Sequence, residues 1–171
     1  MEQELEIELE DISSQKTNYE LMTLAIVYQH PKILLGMKKR GFGKGRWNGF
    51  GGKLEENEEV EDAAHRELLE ESGIQADYLE PVGVLNFEFN DNPDVIQVHI
   101  FKSESFSGDI KESEEMRPEW FNVNNIPYDE MWPDDIYWLP LFLEGKKFKG
   151  KFIFSDHDEI LEYDLKEVED I

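Results

Sequence analysis

Residues 52–74 read GKLEENEEVEDAAHRELLEESGI. Residues 58–72 predict a helix, since acidic residues favour a first turn and Asn57 is a suitable N-cap. Gly73 then stands where a helix commonly ends in a left-handed residue. The stretch before them, residues 41–52, holds six of the twelve glycines and predicts a loop. Together they predict a loop, an acidic helix and a turn in succession.

Three carboxylates share one side of this predicted helix. At about 100° per residue, Glu67, Glu70 and Glu71 fall within an arc of about 100°. Like charges three and four residues apart destabilise a helix by roughly 0.2–0.5 kcal/mol per pair. A bound divalent cation would reverse this repulsion, and oxygen ligands without nearby His or Cys favour Mg²⁺ or Mn²⁺. Helix geometry alone leaves a solvated acidic face as the alternative.

The order and spacing of residues 52–74 match a known motif. The pattern G-x5-E-x7-REL-x-EE-x-G-I resembles the Nudix box at every defined position. The resemblance implies an α/β (α+β) architecture, the Nudix fold, in which a mixed β-sheet is sandwiched between helices. It also implies hydrolysis of a nucleoside diphosphate linked to another group, by attack of water on phosphorus.

The resemblance implies roles for individual residues of the motif. Mg²⁺, or Mn²⁺ in its place, would be held by Glu67, Glu70, Glu71 and the carbonyl of Gly52. Arg66 is also expected among the catalytic residues, where it would pair with Glu58 and orient the helix. Metal ions neutralise phosphate charge and make hydroxide accessible near neutral pH. Glu71, or Glu70 next to it, is the candidate base, and the sequence does not separate base from ligand.

Composition and charge restrict the class of protein. The 171 residues are enough for one domain with a sizeable core. The formal net charge of −23 opposes binding to long nucleic acids, because polyanions would be repelled. The sequence has no cysteine for a disulfide and no apolar run long enough for a membrane span. We therefore expect a cytoplasmic monomer, with nuclear or mitochondrial nucleotide pools left open.

The chain divides at about residue 20. Residues 1–20 combine alternating apolar residues with a high density of like charge, and they predict a flexible acidic tail. A partner-binding segment is the alternative. Residues 21–171 predict the Nudix domain, with a second helix at residues 134–143 and a mixed sheet flanked by helices. Its strands are predicted at residues 22–29, 32–40, 82–89, 95–101, 120–123, 148–154 and 160–165.

Basic residues collect in the predicted glycine-rich loop. Five of the seventeen Lys and Arg residues lie between positions 38 and 46. Basic side chains and accessible backbone N–H groups together suit a phosphate chain. A charged hairpin that aids solubility is the alternative. The four histidines are scattered in the sequence and predict no ligand set.

A second motif lies far from the acidic helix. Residues 131–135 read MWPDD. Asp134 and Asp135 suit a helix N-cap. They also suit a purine pocket, because two close carboxylates in a low-dielectric site tend to keep one proton between them. One acid would then donate a hydrogen bond to the base, and the other would accept one.

Residues 34–53, 115–118 and 131–135 resemble the Nudix enzymes that act on oxidised purine nucleotides, and this resemblance extends over about residues 21–171. It implies a substrate pocket formed by Thr23, Lys38, Phe42, Asn48, Phe87, Trp132, Asp134 and Asp135. Glu115 would approach the metal ions from outside the box. Two positions depart from the vertebrate form. That form has a methionine in the pocket where this chain has Ile96, and an acidic residue where this chain has Gln97. The change at Ile96 could shift the preference among modified purines.

The expected activity is Mg²⁺-dependent hydrolysis of oxidised purine nucleoside triphosphates, such as 8-oxo-dGTP and 2-oxo-dATP, to the monophosphate and pyrophosphate. Such an enzyme would sanitise the nucleotide pool. Two alternatives stay open: a Nudix hydrolase of another nucleotide, namely a dinucleoside polyphosphate or a capped RNA, and a non-catalytic nucleotide-binding module. The expected partner is a small nucleotide, with no long nucleic acid and no membrane.

Overall fold

The computed structural model describes residues 18–171, and within this range no helix is long and apolar enough to cross a membrane. The elements of this range are, in chain order, β1 (Tyr19–Gln29), β2 (Lys32–Lys38), β3 (Trp47–Asn48), α1 (Val60–Ser72), β4 (Gln75–Ala76), β5 (Glu80–Phe89), β6 (Val95–Ser103), β7 (Phe106–Ser107), β8 (Met116–Asn122), two 3₁₀ helices (Val123–Asn125 and Tyr128–Glu130), α2 (Asp135–Leu143), β9 (Lys147–Phe154) and β10 (Ile160–Val168). The predicted tail falls mainly on residues 1–17, which lie outside the described residues. Its last two residues, Tyr19 and Glu20, begin β1.

The strands of the described chain form one large mixed sheet and one small one. The large sheet has the order β10-β9-β5-β6-β1-β2-β3, and β8 also pairs with β2. β1 runs parallel to β6 and β5 runs parallel to β9, whereas the other neighbours in this sheet are antiparallel. β4 and β7 pair separately. The predicted mixed sheet is therefore confirmed.

Apolar residues on both faces of the sheet build two core layers. In β1, Ala25 and Val27 pack in one layer with Leu68 of α1. Ile26 lies between them in sequence and packs in the other layer with Trp138 of α2. Successive side chains of a strand point to opposite faces, so a strand with apolar residues in succession is buried on both sides. The sheet is thus sandwiched between the two helices, as predicted.

Helix α1 begins later than the sequence predicts. Its N-cap position is Glu59, and the predicted cap, Asn57, instead adopts a left-handed backbone with a φ of 63°. The Glu58 carboxylate accepts a hydrogen bond from the Glu55 N–H at 3.0 Å, which stabilises the turn before the helix. The assignment of Asn57 as the N-cap is therefore wrong. The predicted stop is confirmed, since Gly73 ends the helix with a φ of 80°.

The glycine-rich stretch is more regular than a loop. Trp47–Asn48 forms β3 against β2, and Phe50 and Lys53 each form a single bridge to β1. The prediction of a loop throughout residues 41–52 is therefore wrong for its second half. Backbone pairing with two neighbouring strands outweighs the weak strand preference of glycine.

The other strand bounds differ from the predictions mainly at the strand ends. β8 spans Met116–Asn122 rather than residues 120–123, because it pairs with β2 along its whole length. β2 ends at Lys38 rather than at residue 40, where the glycine-rich stretch begins. Pairing between strands that are distant in sequence sets these ends, and local patterns carry little of that information.

Leu68 and Leu69 test the orientation of α1. Leu68 is fully buried, whereas its neighbour Leu69 is 42% exposed. We predict that Leu68→Ala lowers the free energy of unfolding by about 2–5 kcal/mol, since it leaves a cavity in the core, and that Leu69→Ala lowers it by less than about 1 kcal/mol. Urea denaturation of both variants measures the difference. Equal losses would contradict the orientation of the helix.

Candidate active site

A cavity of about 470 Å³ is lined by β1, β5, β6, the glycine-rich stretch and parts of both helices. It brings together the predicted metal ligands and the predicted substrate pocket. These lining residues are Thr23, Lys38, Phe42, Asn48, Gly52, Glu67, Glu70, Glu71, Phe87, Glu115, Trp132, Asp134 and Asp135. Arg66 alone among the predicted site residues lies outside the lining, and its guanidinium donates hydrogen bonds to Glu67 and Glu70, which do line the cavity.

Arg66 is surrounded by carboxylates of the acidic segment. Its Nε and Nη2 donate to the two Glu58 oxygens at 2.8 and 2.9 Å, and its Nη1 donates to Glu67 at 2.8 Å. Nη1 also donates to Glu70 Oε2 at 3.3 Å. The hydrogen bond from Arg66 lowers the pKa of the Glu58 carboxyl to about 2, and Glu58 in turn raises the pKa of Arg66. The bidentate pair fixes the orientation of α1 relative to the preceding turn.

Glu71 is the most buried carboxylate of the box, with 3% of its surface exposed. Its Oε1 accepts a hydrogen bond from the Gly51 N–H at 2.8 Å, and its Oε2 lies 3.8 Å from Lys38 Nζ. Burial raises the pKa of the Glu71 carboxyl to about 8. Lys38 Nζ also donates to Glu115 Oε2 at 3.3 Å. One lysine therefore lies between a carboxylate of the box and the predicted carboxylate outside it.

Two glycines let the chain pass between β1 and α1. A Cβ on Gly51 would lie 1.7 Å from the Thr23 carbonyl oxygen, and a Cβ on Gly52 would lie 2.8 Å from Glu67 Oε1. The Gly52 carbonyl accepts a hydrogen bond from the Thr23 N–H at 2.9 Å. Gly52 is thereby packed directly against a carboxylate of the box, and a larger residue would have to displace the Glu67 side chain.

The donor atoms at this end of the cavity fit a hard divalent cation. Four carboxylates and Gly52 line it, and oxygen donors of this kind suit Mg²⁺ or Mn²⁺. These carboxylates are paired with Arg66 and Lys38, and no three acidic or histidine residues within 18–171 are already grouped as a metal cluster. The two cations show that this end of the cavity favours positive charge.

The other end of the cavity holds the two adjacent aspartates. Asp134 and Asp135 are only 3% and 2% exposed. Asp134 occupies the N-cap position of α2 without a side-chain cap, and its Oδ2 accepts a hydrogen bond from the Trp138 indole N–H at 2.7 Å. Asp135 Oδ2 is buried and has no hydrogen-bond partner among the described residues. The simple N-cap interpretation therefore does not account for either carboxylate.

Burial raises the pKa of both aspartates, and that of Asp135 lies well above its usual range. The charge of Asp134 adds to the effect of burial at Asp135. Two carboxyls in such a site tend to share a proton, so the pair offers one donor and one acceptor. Asn48 lines the same cavity, and its side-chain oxygen accepts a hydrogen bond from the Gly49 N–H at 2.9 Å. This contact leaves the amide NH₂ of Asn48 available to a ligand.

Aromatic rings form the walls around the aspartates. The Trp132 ring lies 4.9 Å from Phe42 at an interplanar angle of 32°, and Phe154 stacks on Phe89 at 5.2 Å. The sequence assigned no site role to Phe154, nor to Met22, Leu24, Leu85, Val98, Ile100 and Met116, which also line the cavity. Strand alternation could have indicated that these side chains point inward, but not that they border a cavity rather than core.

A mixed sheet between two helices, with an acidic loop–helix–loop as one wall of a ligand cavity, is the architecture of the Nudix hydrolase class. The chain belongs to the Nudix family, since the family model of the NUDIX domain matches residues 19–142. Nudix hydrolases generally use divalent cations such as Mg²⁺. The enzymatic class predicted from residues 52–74 is therefore confirmed.

Similar proteins cover most of this chain. It is 56% identical over 149 residues to the oxidized purine nucleoside triphosphate hydrolase of Mus musculus. The aligned region covers 87% of this chain and 96% of that protein. The protein of the same name from Danio rerio is 52% identical over 151 residues, or 88% and 97% of the two chains. Among solved structures, the MutT protein from Bacillus halodurans superposes with a TM-score of 0.77 at 27% identity, over 86% of this chain and 97% of that one.

Asp135 tests whether this end of the cavity is built for ligand binding rather than for stability. Its carboxyl binds more protons in the folded than in the unfolded state, because burial raises its pKa well above the usual value of an aspartate, about 3.9. The wild-type protein therefore loses stability as the pH rises above that value. We predict that Asp135→Asn becomes more stable relative to wild type between pH 5 and pH 8, measured by urea denaturation. Asp129→Asn, which removes an exposed acidic side chain, is the control for the loss of one acidic residue. A pH-independent difference for Asp135→Asn would refute the prediction.

Proposed function

We propose that this protein hydrolyses oxidised purine nucleoside triphosphates, among them 8-oxo-dGTP and 2-oxo-dATP, to the monophosphate and pyrophosphate. The observation that carries the proposal is one cavity with box carboxylates at one end and two buried aspartates at the other. The relatives from Mus musculus and Danio rerio are named for this activity, and they match this chain over most of its length. Removal of such nucleotides would sanitise the pool used for DNA synthesis.

The phosphate end would hold Mg²⁺ through Gly52, Glu67, Glu70, Glu71 and Glu115. When bound there, Mg²⁺ would neutralise phosphate charge and make hydroxide accessible near neutral pH. Glu71, with Glu70 as the alternative, would accept the proton of the attacking water, since the Gly51 N–H holds its carboxylate toward the cavity. Arg66 would keep Glu67 oriented through its 2.8 Å hydrogen bond. The ammonium group of Lys38 would supply positive charge to the phosphates.

The base end would read the purine by hydrogen bonds and stacking. A proton shared by Asp134 and Asp135 lets one carboxyl donate and the other accept, and Asn48 can donate through its amide. A purine edge carries both donors and acceptors. The unpartnered Asp135 oxygen makes the pocket selective, because a ligand that leaves a buried polar group unpaired binds poorly. Trp132 offers an indole face on which the base can stack.

A hydrolysis panel with Mg²⁺ tests the proposed function directly. We expect 8-oxo-dGTP and 2-oxo-dATP to yield the monophosphate and pyrophosphate, with kcat/KM at least about tenfold above dGTP and dATP. Preference for a dinucleoside polyphosphate or a capped RNA would assign another nucleotide substrate. Absence of hydrolysis with every nucleotide would leave a non-catalytic binding module.

Glu71→Gln tests the proposed base. We predict that turnover of 8-oxo-dGTP falls by about 10²–10⁴-fold, because the amide cannot accept a proton from water, whereas nucleotide binding largely persists. Pyrophosphate release measures turnover, and calorimetric titration measures binding. Glu61→Gln removes an exposed carboxylate from the first turn of the same helix and should behave as wild type. Full turnover in Glu71→Gln would reject the assignment.

Asp134→Ala tests the proposed base recognition. The variant removes a buried acceptor, so we predict that kcat/KM for 8-oxo-dGTP falls by about 10- to 100-fold while that for dGTP changes much less. The matched control is Asp129→Ala, in the preceding 3₁₀ helix, whose side chain is exposed. An equal loss on both nucleotides would show that Asp134 supports the fold rather than reading the base.

A further inference from the structure

The indole ring of Trp132 has a cation on one face. The Arg46 guanidinium carbon lies 3.9 Å from the ring centroid, which is within cation–π range. Phe42, from the same stretch of chain, packs against the ring and lines the cavity, and a Cβ added to Gly43 would lie 3.2 Å from the indole nitrogen. Arg46 contacts the ring without lining the cavity. Arg46 therefore packs over Trp132 from outside the cavity lining, whereas Trp132 and Phe42 both line the cavity that a ligand would enter.

The Arg46 guanidinium also binds a carboxylate that is 112 residues away in the sequence. Its Nη1 donates to Asp158 Oδ2 at 3.3 Å, and Asp158 lies in the turn between β9 and β10 with a φ of 59°. The Ser155 hydroxyl accepts hydrogen bonds from the N–H groups of His157 and Glu159, both at 3.2 Å, and the Ser155 N–H donates to the Glu159 carbonyl at 2.8 Å. The turn that carries Asp158 is therefore well fixed.

The same turn is attached to the cavity wall. Phe154, the residue before it, is fully buried and lines the cavity, and its ring meets Trp132 edge to face at 6.2 Å. Arg46 thus contacts both Trp132 and the β9–β10 turn, and the turn contacts Trp132 through Phe154. A planar guanidinium can stack on an indole while it donates to a carboxylate, which a lysine ammonium does less well.

We propose that Arg46 is a positioning residue for base recognition, which holds the indole of Trp132 in the orientation that a purine stacks on, with Asp158 as its anchor. Fixing the ring before the ligand arrives reduces the side-chain ordering that binding would otherwise require. This inference rests on the proposed function. By sequence, Arg46 belongs with the basic residues that suit a phosphate chain. We instead assign Arg46 to base recognition.

The variants Arg46→Met, Arg46→Lys and Asp158→Asn test the proposal through binding of 8-oxo-dGMP, which carries the base and requires no turnover. We expect Arg46→Met to weaken binding about three- to thirtyfold and Asp158→Asn about two- to fivefold, with Arg46→Lys between them. With 8-oxo-dGTP as substrate, KM should rise and kcat should stay within about twofold, because the carboxylates of the phosphate end are untouched.

Two controls match these changes. Arg117→Lys alters the other arginine that lies over a tryptophan, 5.1 Å from the ring centroid of Trp47. Asp156→Asn removes an exposed carboxylate from the same β9–β10 turn. Both should bind 8-oxo-dGMP as wild type does. The double variant Arg46→Met/Asp158→Asn should bind no more weakly than Arg46→Met alone, since Asp158 acts through Arg46.

Acrylamide quenching of Trp132 fluorescence, taken as the difference from Trp132→Phe, gives an independent readout. Quenching should increase in Arg46→Met and Asp158→Asn if the ring is released. If wild type does not distinguish 8-oxo-dGMP from dGMP, the proposed function fails. If wild type distinguishes them but Asp158→Asn and both Arg46 variants bind equally well, the positioning role fails. A fall in kcat with KM unchanged would also overturn it, since Arg46 would then act on the phosphates.

Discussion

The structure depends on carboxylates that are buried at both ends of one cavity, where hydrogen bonds and cations replace only part of the hydration that burial removes. Glu71, Asp134 and Asp135 are each at most 3% exposed. A charged carboxylate loses strong hydration in such a place and needs hydrogen bonds, a cation or a proton. Glu71 receives the Gly51 N–H and faces Lys38, whereas the aspartates receive one indole N–H and keep an unpartnered oxygen. A nucleotide that arrives with a divalent cation would supply what each end lacks.

The glycine-rich stretch connects the two ends of this cavity. It runs beside β1 through the bridges of Phe50 and Lys53, and Gly52 packs against Glu67. Further back, Gly43 approaches Trp132 so closely that an added Cβ would lie 3.2 Å from the indole nitrogen. The distance between the base end and the phosphate end is therefore set by continuous backbone. Catalysis that depends on placing phosphorus accurately benefits from such a fixed relation.

Some parts of this arrangement can be predicted from the sequence, whereas others cannot. The acidic helix and its stop at Gly73 follow from local spacing, because cap preferences and a 3.6-residue period act within a few residues. The bond between Asp134 and Trp138 and the burial of Asp135 depend on how α2 packs on the sheet, so the sequence could offer only a cap or a pocket as alternatives. The contact of Arg46 with the β9–β10 turn joins residues more than a hundred positions apart, which no local pattern reports.

The central claim is that one nucleotide spans the cavity, with its base on the aspartates and its phosphates toward the box carboxylates. A crystal structure with 8-oxo-dGTP and Ca²⁺, which would replace Mg²⁺ while slowing turnover, tests this claim most directly. The account predicts the purine edge within hydrogen-bond distance of Asp134 and Asp135, its ring stacked on Trp132, and the phosphates on the side of Glu67 and Glu71. A base bound outside the cavity, or phosphates beside the aspartates, would contradict the account.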